Sequence, residues 1–429
     1  MAAHILWQIQ VSNYTSEGKF VLSADSNWQI FVAKVAQMLK IDPSINIDVI
    51  VPNEDQCLED PRVLLANAGV WSEKFAPGDQ RSPMTSVYLI NTRIEPNAPV
   101  TRFDFPFNEI KRILGKQINA YTHVYINDPL LLPHYRALFH LNKASPKFIL
   151  QTHFLDSPVA RVVDSQLSYW YGTVEACDKA DVFFWHCKSM EDVFHQALKT
   201  EFQPHVIDRL MKKSFVFKDG YSVSEIRQPI VSEKLRFSPS GLRDKKIVWV
   251  PNRVGGLGKS FDYTNNGKFL FEIVPALWEK RQDFVVIAGN PNQKISNDEV
   301  ARACPAYVKV VNGPLNRDEY RWFSQNADVV VGLYTNDTNG GLASLEAIEF
   351  NAVPLFPNVY EYKIYFDAVS WPEHLRIKED LSDTADVLSK LLDDLQSSQL
   401  TDKQHAMRDF IRENAAYENT VASFMRHLT

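Results

Sequence analysis

The feature that most constrains this chain is a strand–helix alternation that runs twice. Short apolar runs of strand length recur between stretches of helical periodicity. In the first series the strand candidates are 5–11, 45–51 (INIDVIV), 86–91 (SVYLIN), 123–128 (HVYIND), 147–154 (KFILQTHF) and 180–186 (ADVFFWH). Residues 27–39 put Phe31, Val35 and Met38 or Leu39 on one helical face, with Asp25 or Ser26 as the cap. This is a βαβ opening. Residues 52–84 read as loop. The second series offers strands at 245–252, 283–290, 308–313, 327–334 and 352–358, with helices at 317–326 and 341–350.

Parallel strands need crossover connections, and helices supply them. Two such series therefore predict an α/β protein of two doubly wound, Rossmann-like domains facing across a cleft, where a ligand is expected. Between the series, VSEKLRFSPSGLRD (231–244) carries Pro239, Gly241 and mixed charge, a linker composition. The expected limits are 1–235 and 236–380. Residues 381–429 read as helices crossing back to the first domain. The length of 429 residues fits two or three domains.

Composition narrows the function. The 46 Lys+Arg against 52 Asp+Glu give a net charge of −6. That excludes a generally basic nucleic-acid coat and leaves a local basic groove open. The four cysteines are Cys57, Cys177, Cys187 and Cys304, with no CxxC pair. They fit a reducing compartment and argue against a disulfide scaffold or a zinc site. No apolar run approaches the 18 or more residues of a spanning helix. The N-terminal MAAHILWQIQVSNY has no basic n-region. The expected location is cytoplasmic, with no membrane insertion.

Two segments carry anion-binding chemistry. NRVGGLGKS (252–260) follows a strand and ends in Gly-Lys-Ser, as a P-loop does. Arg253 stands where the P-loop needs its first glycine, and no helical pattern follows directly. A glycine loop near an anionic ligand and a plain turn both fit. The second segment is TNDTNGGLASLEAIEFNAVPLF (335–356). Its pair Gly340-Gly341 precedes a helix that begins near Leu342. Free amides at a helix N-terminus attract phosphate. Glu346, early in that helix, can reach a vicinal diol, as acidic residues reach ribose in dinucleotide folds. A cap or dipole partner is the plain alternative.

These residues, in this order, resemble the nucleotide-binding domain of retaining GT-B glycosyltransferases. The likeness runs over 246–358, through WVPNR, Lys268, VKVVNGPLNRDEYRWFSQNADVVVGLY and the glycine–LEA–VP segment. It implies that Arg253 and Lys268 neutralise a donor diphosphate, that Gly340, Gly341 and Leu342 supply amides, and that Glu346 holds the ribose. The pattern departs at Thr338, where the family usually has a glutamate facing the donor sugar. Asp337 stands beside it. The family's glycine five residues after the LEA glutamate is Asn351 here.

The first half resembles the family less closely. FILQTHFLDSP (148–158) ends a strand with His153 and Asp156; the resemblance puts such a histidine near the anomeric carbon, and a satisfied loop histidine fits equally. His186 and Ser189 sit at the turn after 180–186. The layout is also loosely similar to phage enzymes that put glucose on hydroxymethylated DNA bases. In SYWYG (168–172) with Arg161 and Lys188, aromatics and cations suit a stacked single strand. Trp170 and Tyr171 at helical spacing also suit a core.

The implied activity is transfer of a sugar from a UDP- or GDP-linked donor to a hydroxyl acceptor, with retention. One version of the acceptor is a hydroxymethylated pyrimidine in phage DNA. Two cations and a helix N-terminus neutralise the diphosphate, so no metal or further cofactor is expected. The alternatives are a catalytically silent nucleotide-sugar-binding or partner protein, motivated by Thr338, and a P-loop NTPase. Oligomeric state is not readable from the chain.

Overall fold

The computed structural model describes residues 3–9, 11, 19–23, 25–71, 84–90, 106–152, 167–238, 242, 244–251, 266–290, 308–312, 315–333 and 342–428. They form two compact units, Met1–Asp219 with Thr420–Thr429 and Gly220–Asn419.

The first unit is built on β1 (His4–Gln8), β2 (Asn46–Pro52), β3 (Met84–Ile90), β4 (His123–Ile126), β5 (Lys147–Thr152), β6 (Val182–Trp185) and β7 (Ser214–Val216). All neighbours pair parallel, in the order β3-β2-β1-β4-β5-β6-β7. The strands are near-continuous apolar runs because both faces of a parallel sheet are covered. Val124, Tyr125 and Ile126 of β4, for example, are all buried. Of the two cap candidates for the first helix, Ser26–Ile41, Asp25 takes the role: its carboxylate accepts from the amides of Asn27 at 2.9 Å and Trp28 at 3.2 Å.

The second unit carries β8 (Lys246–Val250), β9 (Phe284–Asn290), β10 (Val308–Asn312), β11 (Val329–Val331) and β12 (Val353–Leu355). Again every pair is parallel, in the order β10-β9-β8-β11-β12. Both sheets grow outward on either side of a first central strand. That is the doubly wound topology expected from the two series.

Three expectations need correction. The division falls at Asp219/Gly220, not near 235. Residues 221–238 belong to the second unit because their side chains and amides bond to its helices: Arg236 pairs with Glu319 at 2.6 Å, and the Val231 amide donates to Asp318 at 3.1 Å. Pro239 and Gly241 lie outside the described residues. Likewise, Thr384–Asp394 and Ser398–Ala415 stay with the second unit. Leu388, Leu391, Met407 and Ile411 sit in its core. Only Thr420–Thr429 join the first unit, where Phe424 packs on Tyr125, Phe184 and Phe217. A third terminal helix, Tyr417–Met425, makes this return. Residues 52–84, read as loop, contain the helix Pro61–Asn67, capped by Asp60 with Pro61 at its first position. The short strand β7 went unread, since its three residues carry no period.

Candidate functional site

In a doubly wound sheet, ligands bind outside the carboxyl ends of the strands where the order reverses. In the second unit that point lies between β8 and β11. The chain leaves β8 at Pro251 and resumes as the helix Asn266–Lys268; it leaves β11 through Gly332 and Leu333 and resumes as the helix Leu342–Glu349. The two segments that carry the glycine motifs therefore connect neighbouring strands to their helices. Residues 252–265 and 334–341 lie outside the described residues, and with them Arg253, Asp337, Thr338, Gly340 and Gly341. The same holds for His153, Asp156 and Arg161.

The flanks of these segments are described. Lys268 is exposed at the end of its short helix, and a π-helical turn, Phe269–Ile273, follows directly. Such single π turns occur often at functional sites. Phe269 and Leu270 anchor it in the core. The Asp380 carboxyl is held below its usual range by hydrogen bonds from Ser382, with smaller help from the Lys378 and Lys268 charges. Gly332 passes so close beneath two aromatic rings that a Cβ there would lie 2.6 Å from the Tyr362 hydroxyl and 2.9 Å from Phe356 Cε1.

Leu342 is the first residue of its helix and Glu346 lies in the second turn. The Glu346 side chain is only 14% exposed. Its Oε1 accepts from Arg317 Nη2 at 3.0 Å. Arg317 also donates through Nε to Glu225 Oε1 at 3.0 Å, and through Nη2 to Glu225 Oε2. The Glu346 Oε2 is buried and accepts no hydrogen bond among the described residues. Burial pushes the Glu346 carboxyl above its ordinary range; the Arg317 charge opposes this and the Glu225 charge adds to it.

The far end of the same helix is held as firmly. Glu349 is buried and accepts from Tyr221 Oη at 2.9 Å, Arg227 Nη2 at 2.7 Å and Arg412 Nε at 3.0 Å. Asn351 then takes φ +69°, and the amides of Asn351 and Ala352 close back on Ile348 and Ala347 at 2.9 and 3.1 Å. This left-handed residue is where the resembled family has glycine. Asparagine tolerates that conformation better than most residues, so the helix ends here without a glycine.

In the first unit, His186 and Ser189 are buried core residues. His186 Nδ1 lies 2.6 Å from Asp219 Oδ2, and Ser189 Oγ lies 3.4 Å from Cys187 Sγ. Lys188 pairs with Glu191 at 3.2 Å and with Asp192 on its own helix. Trp170 is fully buried, with Nε1 donating to Glu201 at 3.0 Å. Tyr171 departs from the core reading and is 52% exposed. The two rings therefore do not form one stacking platform. Among the described residues, no His, Cys, Asp or Glu cluster is placed to hold a metal ion, and no helix is long and apolar enough to cross a membrane.

Sequence reasoning missed Arg317 and Glu225. Arg317 is 29 residues from Glu346 and 92 from Glu225, and no local pattern links them.

No protein-family model matches the chain, and no curated relative does. Solved structures do. A glycosyltransferase from Rickettsia africae ESF-5 superposes with a TM-score of 0.63 at 10% identity, covering 100% of this chain and 98% of that one. Anabaena Alr3699/HepE in complex with UDP-glucose gives 0.62 at 10% identity, covering 99% of each. The trehalose-6-phosphate enzyme of E. coli, bound with UDP-2-fluoro glucose, gives 0.63 at 12%, also covering 99% of each. A putative UDP-N-acetylglucosamine 2-epimerase from Listeria monocytogenes gives 0.56 at 12%, covering 100% of this chain and 96% of that one. Identities this low carry the architecture alone: the chain has the GT-B fold.

Proposed function

We propose that the protein is a retaining glycosyltransferase that moves a sugar from a nucleoside diphosphate sugar to a hydroxyl acceptor. One observation carries this reading. The segments bearing Arg253 and the Gly340-Gly341 pair leave adjacent strands at the switch point of the second sheet, and each runs into a helix carrying a second candidate, Lys268 or Glu346.

As the bond to the sugar breaks, charge gathers on the departing diphosphate. Fixed donors aimed at that charge are the main source of acceleration. Arg253 and Lys268 supply cations, the amides at Gly340, Gly341 and Leu342 supply dipoles, and Glu346 takes the ribose hydroxyls. Asp337 and Thr338 are the candidates to meet the donor sugar, with Asp337 in the carboxylate's role. His153 and Asp156, after β5, steady the transferred sugar on the acceptor side. UDP is the favoured carrier, since HepE and the E. coli enzyme hold UDP-linked sugars. Retention agrees with a trehalose-6-phosphate synthase neighbour studied for glycosyl transfer with retention. A cytoplasmic setting goes with the buried thiols of Cys57 and Cys177.

The test is a thermal-shift series with UDP- and GDP-sugars, followed by transfer to glycans, small alcohols and hydroxymethyl-containing DNA. A ligand at about 100 times its dissociation constant adds roughly 2.7 kcal/mol of stability. Arg253→Ala and Lys268→Ala are expected to erase the shift and the transfer while the free proteins melt as wild type. Wild-type turnover in both would end the proposal. A second reading, a silent nucleotide-sugar-binding protein, is favoured by Thr338 in the place of a glutamate. Donor binding without transfer or hydrolysis would select it.

A further inference from the structure

The ion-paired triad Glu225–Arg317–Glu346 has no counterpart in the motif reading, yet it surrounds the carboxylate proposed to meet the donor. Three elements build it. Glu225 lies on the helix Val223–Ile226, Arg317 opens the helix Arg317–Asn326, and Glu346 lies on Leu342–Glu349. Arg317 is fixed on three sides. It donates to both oxygens of Glu225, its guanidinium lies 5.2 Å over the Tyr320 ring, and Nη2 reaches Glu346 Oε1 at 3.0 Å. Glu225 is itself held by Arg321, whose Nη1 lies 3.9 Å from Oε1.

We propose that Arg317, braced by Glu225, is the positioning residue that engages one oxygen of Glu346 and presents the other to a vicinal diol of the bound nucleotide. The inference rests on the donor site proposed above. Two physical points support it. First, a carboxylate on a free rotor can turn either oxygen away. Here one oxygen is pinned, so the direction of the second is set before the ligand arrives. Second, a buried carboxyl left alone stays protonated, and a protonated acid offers fewer acceptor sites to a diol. The charged and titratable groups facing Glu346 are Arg317 and Arg321, which favour its ionised form, and Glu225, which opposes it. Tyr320 and Tyr221 also lie close enough for their hydroxyls to feel its charge. Among the described residues, Arg317 contacts Glu346 directly.

The experiment compares UDP with 2′-deoxy-UDP by calorimetry on the full chain. The wild type is expected to prefer UDP by about tenfold or more, the worth of a hydrogen bond to a charged group. Glu346→Gln sets the size of the loss when the carboxylate is removed. Arg317→Gln is expected to bring the two ligands within about twofold, and Arg317→Lys to fall between. If the wild type binds no uridine or guanosine nucleotide, or shows no preference for ribose, the donor-site reading fails and this inference falls with it. If the wild type prefers ribose and a folded Arg317→Gln keeps the whole preference, the role of Arg317 is overturned and the donor site stands.

A ligand-free arm uses 13C-labelled glutamate, with the Glu346 carboxyl signal assigned by its loss in Glu346→Gln. Arg317→Gln should move its titration to higher pH. Glu225→Gln keeps a partner for Arg317 but removes a negative charge, so it should move the titration lower. Opposite shifts separate a charge effect from general loosening. No shift in either variant overturns the proposal, and the Glu225 variant alone decides it if Arg317→Gln fails to fold.

Discussion

Lys34 Nζ lies 2.9 Å from Asp219 Oδ1, and neither side chain is exposed. The ammonium also donates to Gln151 Oε1 at 2.7 Å and to Tyr125 Oη at 3.3 Å. It thereby ties the first helix to β4, β5 and the residues after β7. Removing one partner of such a pair strands the other charge in the core. Lys34→Met is expected to cost about 3–5 kcal/mol in urea unfolding. Pairing it with Asp219→Leu should recover part of that loss. A double variant whose loss equals the sum of the singles would show that the two residues do not act as a pair.

Gly220 has a different constraint. A Cβ at that position would lie 1.7 Å from the Ala415 carbonyl oxygen, because Tyr221 and Ala416 form a bridge between two chain segments there. The atoms it would meet are all backbone of Ala415, so none can swing aside. Gly220→Ala is expected to cost roughly 3 kcal/mol or more, beyond ordinary overpacking. Gly69 is the control: it has φ +71° with nothing within 4 Å of a built Cβ. Alanine there meets only backbone strain of about 1–2 kcal/mol. Equal melting losses for the two variants would contradict this account.

The first unit carries a pH dependence at His123. Burial, with a smaller push from the Lys147 charge, lowers its pKa from 6.5 to about 4. Nδ1 lies 2.8 Å from Thr122 Oγ1, and the buried Nε2 has no hydrogen-bond partner among the described residues. The unfolded chain takes up a proton below pH 6.5, whereas the folded chain waits until about pH 4. Stability therefore falls as pH drops across that window, by on the order of 3 kcal/mol, and His123 adds no further loss below it. His123→Leu should flatten this part of the profile. An unchanged slope would assign the loss to other groups.

The second unit should respond at lower pH. Burial alone would raise Glu319 and Glu349, but the hydrogen bonds they accept outweigh it and hold both below their ordinary range. Glu319 accepts from Arg236 Nε at 2.8 Å and Nη2 at 2.6 Å. A carboxyl depressed in the folded state contributes stability above its unfolded pKa and loses it as pH falls through the folded one. The tryptophan fluorescence transition of this unit should therefore begin below about pH 4.5, the ordinary glutamate value. Glu349→Gln should reduce its steepness. A transition that starts near neutrality, or one unaffected by the substitution, would count against these pairs.

Much of the architecture was legible locally. Residues 317–326 read as a helix with the limits observed, because an asparagine and a glutamate three residues on close a capping box that acts within one turn. The strands read well since burial on both faces leaves continuous apolar runs. The unit boundary was not legible. Pro239 and Gly241 look like punctuation, whereas the boundary itself, Asp219-Gly220, has no composition signal. It lies there because Tyr221, Arg227 and Arg236 find partners on helices about 80–130 residues later.

The candidate site divides in the same way. Lys268, Leu342 and Glu346 were named from short motifs, since anion and diol chemistry demands particular residues at particular helix positions. What surrounds Glu346 was hidden, because Arg317 and Glu225 share with it neither a helix face nor a motif.

By itself, then, the order of residues determined the secondary-structure alternation, the doubly wound topology and the chemical character of the glycine–glutamate segment, all of which depend on periodicity and nearest neighbours. Only the tertiary structure decided where one unit ends, which unit holds the penultimate helices, and which charge stands beside Glu346. Those outcomes depend on ion pairs and buried contacts between segments far apart in the chain, and their free energy exists only once the chain has folded.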